Sequence, residues 1–167
     1  MTEPIASVQI SRFQPADEAG VIEVILPIQQ AEFGIAITAA DQPDLRAIGE
    51  FYQHGCGDFW VAKVDGQVVG TLGLKDIGEG RAALRKMFVA QGYRGAGFGT
   101  ASRLLATLLA AARERGVRQI LLGTTAQFLA AHRFYEKHGF VEVLKADLPA
   151  SFPLMAVDSK FYALNLA

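Results

Sequence analysis

Cysteine is almost missing from this chain. Cys56 is the single one among 167 residues, which excludes an internal disulfide and a cysteine-built zinc site. No charge of one sign dominates: 16 Lys and Arg stand against 17 Asp and Glu, a net charge of −1. Without a basic surplus there is no electrostatic footing for nucleic acid. Long apolar runs are lacking too. Stretches such as Leu104–Ala112 are short and interrupted, so nothing is expected to span a bilayer. The opening residues MTEPIASVQI contain neither a basic region nor an apolar h-region, so no secretion signal is expected and a cytoplasmic location is. His132 and His138 miss the i, i+4 spacing of a helical ligand pair, and no metal is expected. Internal repeats, low-complexity segments and linkers are absent, so the length predicts one domain over residues 1–167. What is present is core material: 51% apolar and 20% charged residues, the balance of a globular chain.

The chain is organised around residues 83–115, ALRKMFVAQGYRGAGFGTASRLLATLLAAARER. Residues 84–89 suit a strand. A turn with Gly92, Gly95 and Gly97 follows. From about Phe98, the apolar positions Ala101, Leu104, Leu105, Leu108 and Ala112 recur with the spacing of one helix face, and Gly116 closes the helix. The first amides of a helix lack partners, and the macrodipole adds roughly half a positive charge there. Glycines admit a phosphate to the backbone without meeting a Cβ, and Arg94 offers a guanidinium beside them. Two phosphate-binding patterns fail on spacing. A P-loop needs Lys then Ser or Thr after its second glycine, whereas Phe98 and Gly99 follow Gly97. A dinucleotide fingerprint needs an acid ~20 residues after its glycines, and the window around Gln119 has none.

The pattern that fits is R-x-x-G-x-G, Arg94-Gly95-Ala96-Gly97-Phe98-Gly99, followed by Thr100. Here the sequence resembles the GCN5-related N-acetyltransferases (GNAT family), whose pyrophosphate loop lies between a strand and a long helix. A second signature, A-x-x-x-Y-x-x-x-G-F, runs from Ala131 through Tyr135 to Gly139 and Phe140. The resemblance implies acetyl-CoA (coenzyme A) as co-substrate, with no metal. Residues 94–100, namely Arg94, Gly95, Ala96, Gly97, Phe98, Gly99 and Thr100, are then the cofactor-binding loop. Phe88 or Val89, at the central strand's end, supplies an amide to the acyl oxygen. Tyr135 becomes the candidate general acid for the departing thiolate, although its spacing with Phe128, Ala131 and His138 also suits a core aromatic. One position departs from the family pattern: Phe128 stands where many relatives have an asparagine that contacts the cofactor. Thr124, Thr125 and Gln127 are the nearby polar substitutes.

Taken in order, residues 5–13 read as a first strand, and Pro15-Ala16-Asp17-Glu18 opens a helix with Val21, Ile22, Ile25 and Ile28 on its face and Pro27 near its end. Asp41, Pro43 and Asp44 open a second helix through Tyr52. Strands 59–64 and 68–74 meet across Asp65-Gly66, and a turn at Gly78-Glu79-Gly80 leads into strand 81–89. Beyond the long helix, residues 119–122, 140–144 and 160–166 read as strands and 128–137 as a helix. The expected fold is α/β (α+β mixed): a GNAT-like central twisted sheet, mixed but mostly antiparallel, with helices on both faces.

The implied reaction is transfer of an acetyl group to a primary amine of a small molecule or peptide, by direct attack in a ternary complex. The alternatives are a non-catalytic acyl-CoA-binding sensor and an acyltransferase using a longer acyl group. The amine must arrive neutral, so a base is needed. Glu32 is the candidate, since the segment after the first helix lines the acceptor pocket in this family; Asp76 and Glu79 read as loop acids. Cys56 near His54 reads as a small loop side chain, not a nucleophile. Lys86, Arg85, Arg133 and Lys160 are candidates for selecting an acceptor with a carboxylate. The segment 148–160, rich in proline and apolar residues, either covers the acceptor site or packs between subunits of a homodimer.

Overall fold

The structure is a computed structural model and describes residues 7–95 and 97–166. Ile5, expected in the first strand, and Ala96, expected in the glycine turn, lie outside the described residues. Strand β1 (Gln9–Arg12) pairs antiparallel with β2 (Asp58–Val64). β2 turns through Asp65-Gly66 into β3 (Gln67–Gly78), which turns through Glu79-Gly80 into β4 (Arg81–Val89). All four turn residues have positive φ, from 51° to 80°. That is the mirror-image turn whose twist matches the flanking strands.

Helix α3 (Thr100–Glu114) then returns the chain to β5 (Gln119–Thr124), which lies parallel to β4. Its Leu104, Leu105 and Leu108 are fully buried, each contributing about 1.5–3 kcal/mol of transfer free energy. Packing therefore holds the helix although its N-cap, Gly99, offers no side-chain cap. After α4 (Leu129–Lys137) and the short β6 (Val141–Val143), the last strand β7 (Lys160–Asn165) inserts between β5 and β6, antiparallel to both. The sheet order is β1-β2-β3-β4-β5-β7-β6.

Helices cover both faces. α1 (Glu18–Pro27) and α2 (Ile48–Tyr52) bury Val21, Ile25, Ile48 and Tyr52 against Phe59 and Val61. α3 and α4 pack on the opposite face with Trp60, Leu72, Leu74 and Ile120. Because both faces of β2 are buried, its sequence reads as a continuous apolar run instead of alternating.

Two segments differ from their sequence reading, each for a visible reason. The second helix is broken into a 3-10 turn (Pro43–Arg46) and the five-residue α2, because Ala47 leaves helical geometry. Asp44 does not cap it; its carboxylate turns inward to accept from the Tyr52 hydroxyl at 2.6 Å. After α1, Pro27 cannot donate a backbone bond, and the chain widens into a π turn over Ile28–Glu32, closed by Phe33 N–H on the Ile28 carbonyl.

Candidate active site

β4 and β5 are paired only at Arg81–Ala83, opposite Gln119–Leu121. Beyond Ala83 the strands splay, and β4 keeps its pairing to β3 alone. One edge of residues 84–89 therefore faces a slot. The ladder's alternation decides which amides point there. Ala90 N–H bonds the Val69 carbonyl at 2.8 Å, which makes that opposed pair a hydrogen-bonded one. Phe88, opposite Thr71, falls in the same phase and is engaged with β3. Val89, opposite Gly70, falls in the other phase, so its N–H faces the slot. Of the two residues read from the sequence as amide donors, the register puts Val89 at the slot and Phe88 in the ladder.

β4 also bulges. Thr71 opposes Phe88 while Gly73 opposes Arg85, so three steps on β4 match two on β3. Lys86 takes a positive φ of 57° at this point, and the Thr71 hydroxyl holds its carbonyl at 2.6 Å. The extra residue sets Arg85 and Lys86 on the same face, toward α2, while Leu84, Met87 and Val89 face α3.

At the end of the slot lies the glycine turn. Gly95 (φ 101°) and Gly99 (φ 61°) hold backbone shapes that L-residues avoid. A Cβ added at Gly92, Gly95 or Gly97 would meet no atom within 4 Å. The first amides of α3 have no intrahelical partner and no side-chain cap. Arg94 stands beside them, with Nε donating to the Val89 carbonyl at 2.7 Å and the two Nη atoms to Glu32 at 2.5 and 2.7 Å. Those bonds hold the Glu32 carboxyl below its usual range. The structure thus places Glu32 against the glycine turn, paired with a cation, and not among the cavity-lining side chains.

The slot opens into a cavity of about 560 Å³ walled by β4, β5, α4, the π turn and residues 152–158. Tyr135 is 5% exposed and packs against Phe140 and Tyr162, with ring centroids 5.5 and 5.9 Å away. It also lines the cavity, so a core position does not take it out of the cavity wall. Burial pushes its phenol well above the ordinary range, and no protein hydrogen bond among the described residues perturbs it. Phe128 closes the wall edge-on to Phe33 (4.7 Å) and Phe88 (6.1 Å). Thr125 lines the same wall and its buried hydroxyl has no partner among the described residues. Thr124 and Gln127 line it as well.

Asp158 is the residue that sequence reading missed. It lines the cavity and packs over Gly123, where a Cβ would stand 2.6 Å from its Oδ2. Burial raises its carboxyl, opposed by the Met155 amide and by Arg85 and Lys86. The available signal was its position inside the apolar 148–160 segment, which supplies Phe152, Pro153, Met155 and Val157 to the cavity wall. Asp76 and Glu79 lie elsewhere. Asp76 accepts from the amides of Cys56 and Gly78, and Glu79 forms the β3–β4 turn. Burial and Asp76 push the Cys56 thiol up to about 11, away from nucleophilic use. Among the described residues no group of three His, Cys, Asp or Glu side chains could hold a metal, and no helix is long and apolar enough to cross a membrane.

Residues 22–140 match the family model described as Acetyltransferase (GNAT) family. The chain is 37% identical over 109 residues to N-acetylaspartate synthetase of Xenopus tropicalis, covering 64% of this chain and 40% of that protein. It thus spans well under half the length of that relative. It is 30% identical over 134 residues to the N-acetyltransferase YjgM of Escherichia coli (strain K12), covering 76% of this chain and 78% of that one. The crystal structure of a GNAT family acetyltransferase from Staphylococcus aureus MU50 superimposes with a TM-score of 0.93, at 38% identity over 96% of this chain and 100% of that chain.

Proposed function

The chain belongs to the GNAT acetyltransferase family, and from that premise we propose that it is an N-acetyltransferase moving an acetyl group from acetyl-CoA to a primary amine. The observation that carries this reading is one continuous feature. An unpaired strand edge runs from the glycine turn, through Val89, to a cavity that Tyr135 and Asp158 both line. The residues present fit coenzyme A. The uncapped amides at the start of α3, with open space beside Gly97, suit a diphosphate, and the orphaned Thr125 hydroxyl offers the polar contact that Phe128 lacks.

When bound, acetyl-CoA supplies a thioester whose acyl carbon accepts the amine and whose sulfur departs as thiolate. The protein's own work is placement and charge. Holding the acyl donor and the amine in line contributes up to ~7–11 kcal/mol relative to free encounter. The Val89 N–H is the donor for negative charge gathering on the acyl oxygen. Tyr135 holds its proton across the working pH range and gives it to the sulfur. A free thiol has a pKa of ~8.5, so this donation helps only modestly. We assign the base to Asp158 instead of Glu32, because Asp158 lines the cavity with a raised carboxyl while Arg94 holds Glu32 ionised and weakly basic. The attack we propose is direct, in a ternary complex, and the position of Cys56 outside the cavity lining supports it.

Titration calorimetry with coenzyme A, together with thiol release across an amine panel, tests the reading. Aspartate joins that panel because of the Xenopus relative's name. Binding plus release with at least one amine is expected; binding without release from any amine would leave the sensor reading standing.

A further inference from the structure

The bulge on β4 turns two consecutive cations, Arg85 and Lys86, onto the face that carries the acceptor cavity, and both line it. Their counter-charges are unequal. Arg85 is well tied: Nε donates to the Tyr52 hydroxyl at 3.1 Å and Nη1 to the Pro153 carbonyl at 3.1 Å. Among the described residues Lys86 has one close hydrogen-bond partner, the neutral Gln42 Oε1 at 2.6 Å, with the Asp44 carboxylate further off at 3.6 Å and Asp158 acting on it only through space. Asp44 is shared with Arg85 and with the Tyr52 hydroxyl. An ammonium has three N–H donors, so Lys86 keeps bonding capacity at a site where its side chain is only 4% exposed.

The mounting is built. Gln42 is fixed by reciprocal amide bonds to Gln29, at 2.9 and 3.1 Å, so the π turn, the 38–46 segment and the β4 bulge all converge on this one ammonium. Burial lowers the Lys86 pKa to about 8, the mark of a cation whose counter-charge is incomplete, yet it stays mostly protonated at neutral pH. Leaving a buried charge this poorly paired costs stability unless a ligand completes the pairing.

We propose that Lys86 is a specificity-determining residue that anchors a carboxylate on the acceptor, and hence that the acceptor is an amino acid or another small amine bearing a carboxylate. The inference rests on the acetyl-transfer reading above. It also fits the other charge that lines the cavity: the acceptor's amino group goes to Asp158, which already feels both cations through space, and its carboxylate to Lys86 and Arg85.

The test uses matched acceptors (an amino acid, its amide, and the amine lacking the carboxyl group) with wild type and Lys86→Met, which keeps the stem and removes the charge. In wild type, kcat/KM for the acid exceeds that for the amide by about tenfold or more. In Lys86→Met the acid loses about 10- to 100-fold, mostly through KM, while amide turnover and coenzyme A affinity hold. An equal loss for acid, amide and amine would make Lys86 a base or a structural group and overturn the anchor. Should the variant fail to fold, the wild-type set still decides, because equal turnover of acid and amide overturns the proposal. Absence of coenzyme A binding, or of thiol release from every amine, would instead sink the acetyl-transfer reading and the anchor with it.

Discussion

Substituting valine at Gly97 separates the cofactor role of the glycine turn from its role in folding. In the protein alone the change is nearly free. A Cβ at Gly97 meets nothing within 4 Å. Losing a glycine also trims the freedom of the unfolded chain, which stabilises by about 0.4–1 kcal/mol at compatible sites. With coenzyme A the same side chain fills the space through which a diphosphate reaches the amides. Losing one or two charge-assisted hydrogen bonds costs roughly 2–4 kcal/mol, so Kd rises about 30- to 1000-fold. Calorimetric Kd and Tm on the same samples make the comparison. Gly116→Val is the opposite control. Its φ of 78° strains any side chain, by about 1–2 kcal/mol, so Tm falls by a few degrees while Kd holds. A folded Gly97→Val protein that binds coenzyme A within twofold of wild type would refute the assignment of this turn to the diphosphate.

Three other substitutions test the chemistry. Tyr135→Phe removes a hydroxyl with no protein partner among the described residues, so Tm and coenzyme A Kd should hold while kcat falls about 10- to 100-fold at pH 7; the deficit shrinks above pH ~8.5, where the thiolate leaves unaided. Full activity at pH 7 would remove the acid role. Asp158 has a folded pKa raised by burial, so its contribution to stability is present in acid and lost as pH rises through that raised value. Asp158→Asn should therefore melt higher than wild type at pH 7 to 8 yet lose roughly a hundredfold or more in kcat; a lower melt or an unchanged kcat contradicts the base assignment. Glu32, held low by Arg94, contributes stability above its unfolded pKa that is lost as pH falls. Its partly exposed ion pair is worth only about 0–1 kcal/mol. Glu32→Gln should thus keep Tm within a few degrees and kcat within a few-fold, with coenzyme A bound more tightly by the freed Arg94; a hundredfold fall in kcat would return the base role to Glu32.

Local chemistry was legible in the sequence. Asp65-Gly66 and Glu79-Gly80 specify their turns through positive φ alone, and Leu104, Leu105 and Leu108 specify the α3 face through spacing alone. The glycine turn was legible for the same reason, as Arg94, Gly95, Gly97 and Gly99 act within six residues. What was not legible depends on partners far along the chain. Glu32 reads as a free acid until Arg94, 62 residues later, is found gripping it. Asp158 has no motif of its own and gains a place only when the 148–160 segment folds back over Gly123. Lys86 reads as one of four cations that could select a carboxylate, with nothing to single it out, because strict alternation puts it on the face opposite Arg85. The bulge breaks that alternation, and nothing in LRKMFV announces it.

That bulge links features that would otherwise need separate explanations. Had β4 kept the register of its Gly73–Arg85 pairing, Arg85, Met87 and Val89 would share the acceptor face, and Lys86 and Phe88 would turn toward α3. The ammonium would be buried among leucines, and the Phe33–Phe128–Phe88 wall would lose a ring. One extra residue reverses both outcomes. It also shifts the phase of the ladder, so that the Val89 amide faces the slot. A non-glycine residue at positive φ costs about 1–3 kcal/mol, and the Thr71 and Gln42 bonds to Lys86 help offset it. Strain retained at that level, in the middle of the sheet and beside the splay, is more readily explained by what it aims into the cavity than by stability, since a regular strand would have been the more stable choice.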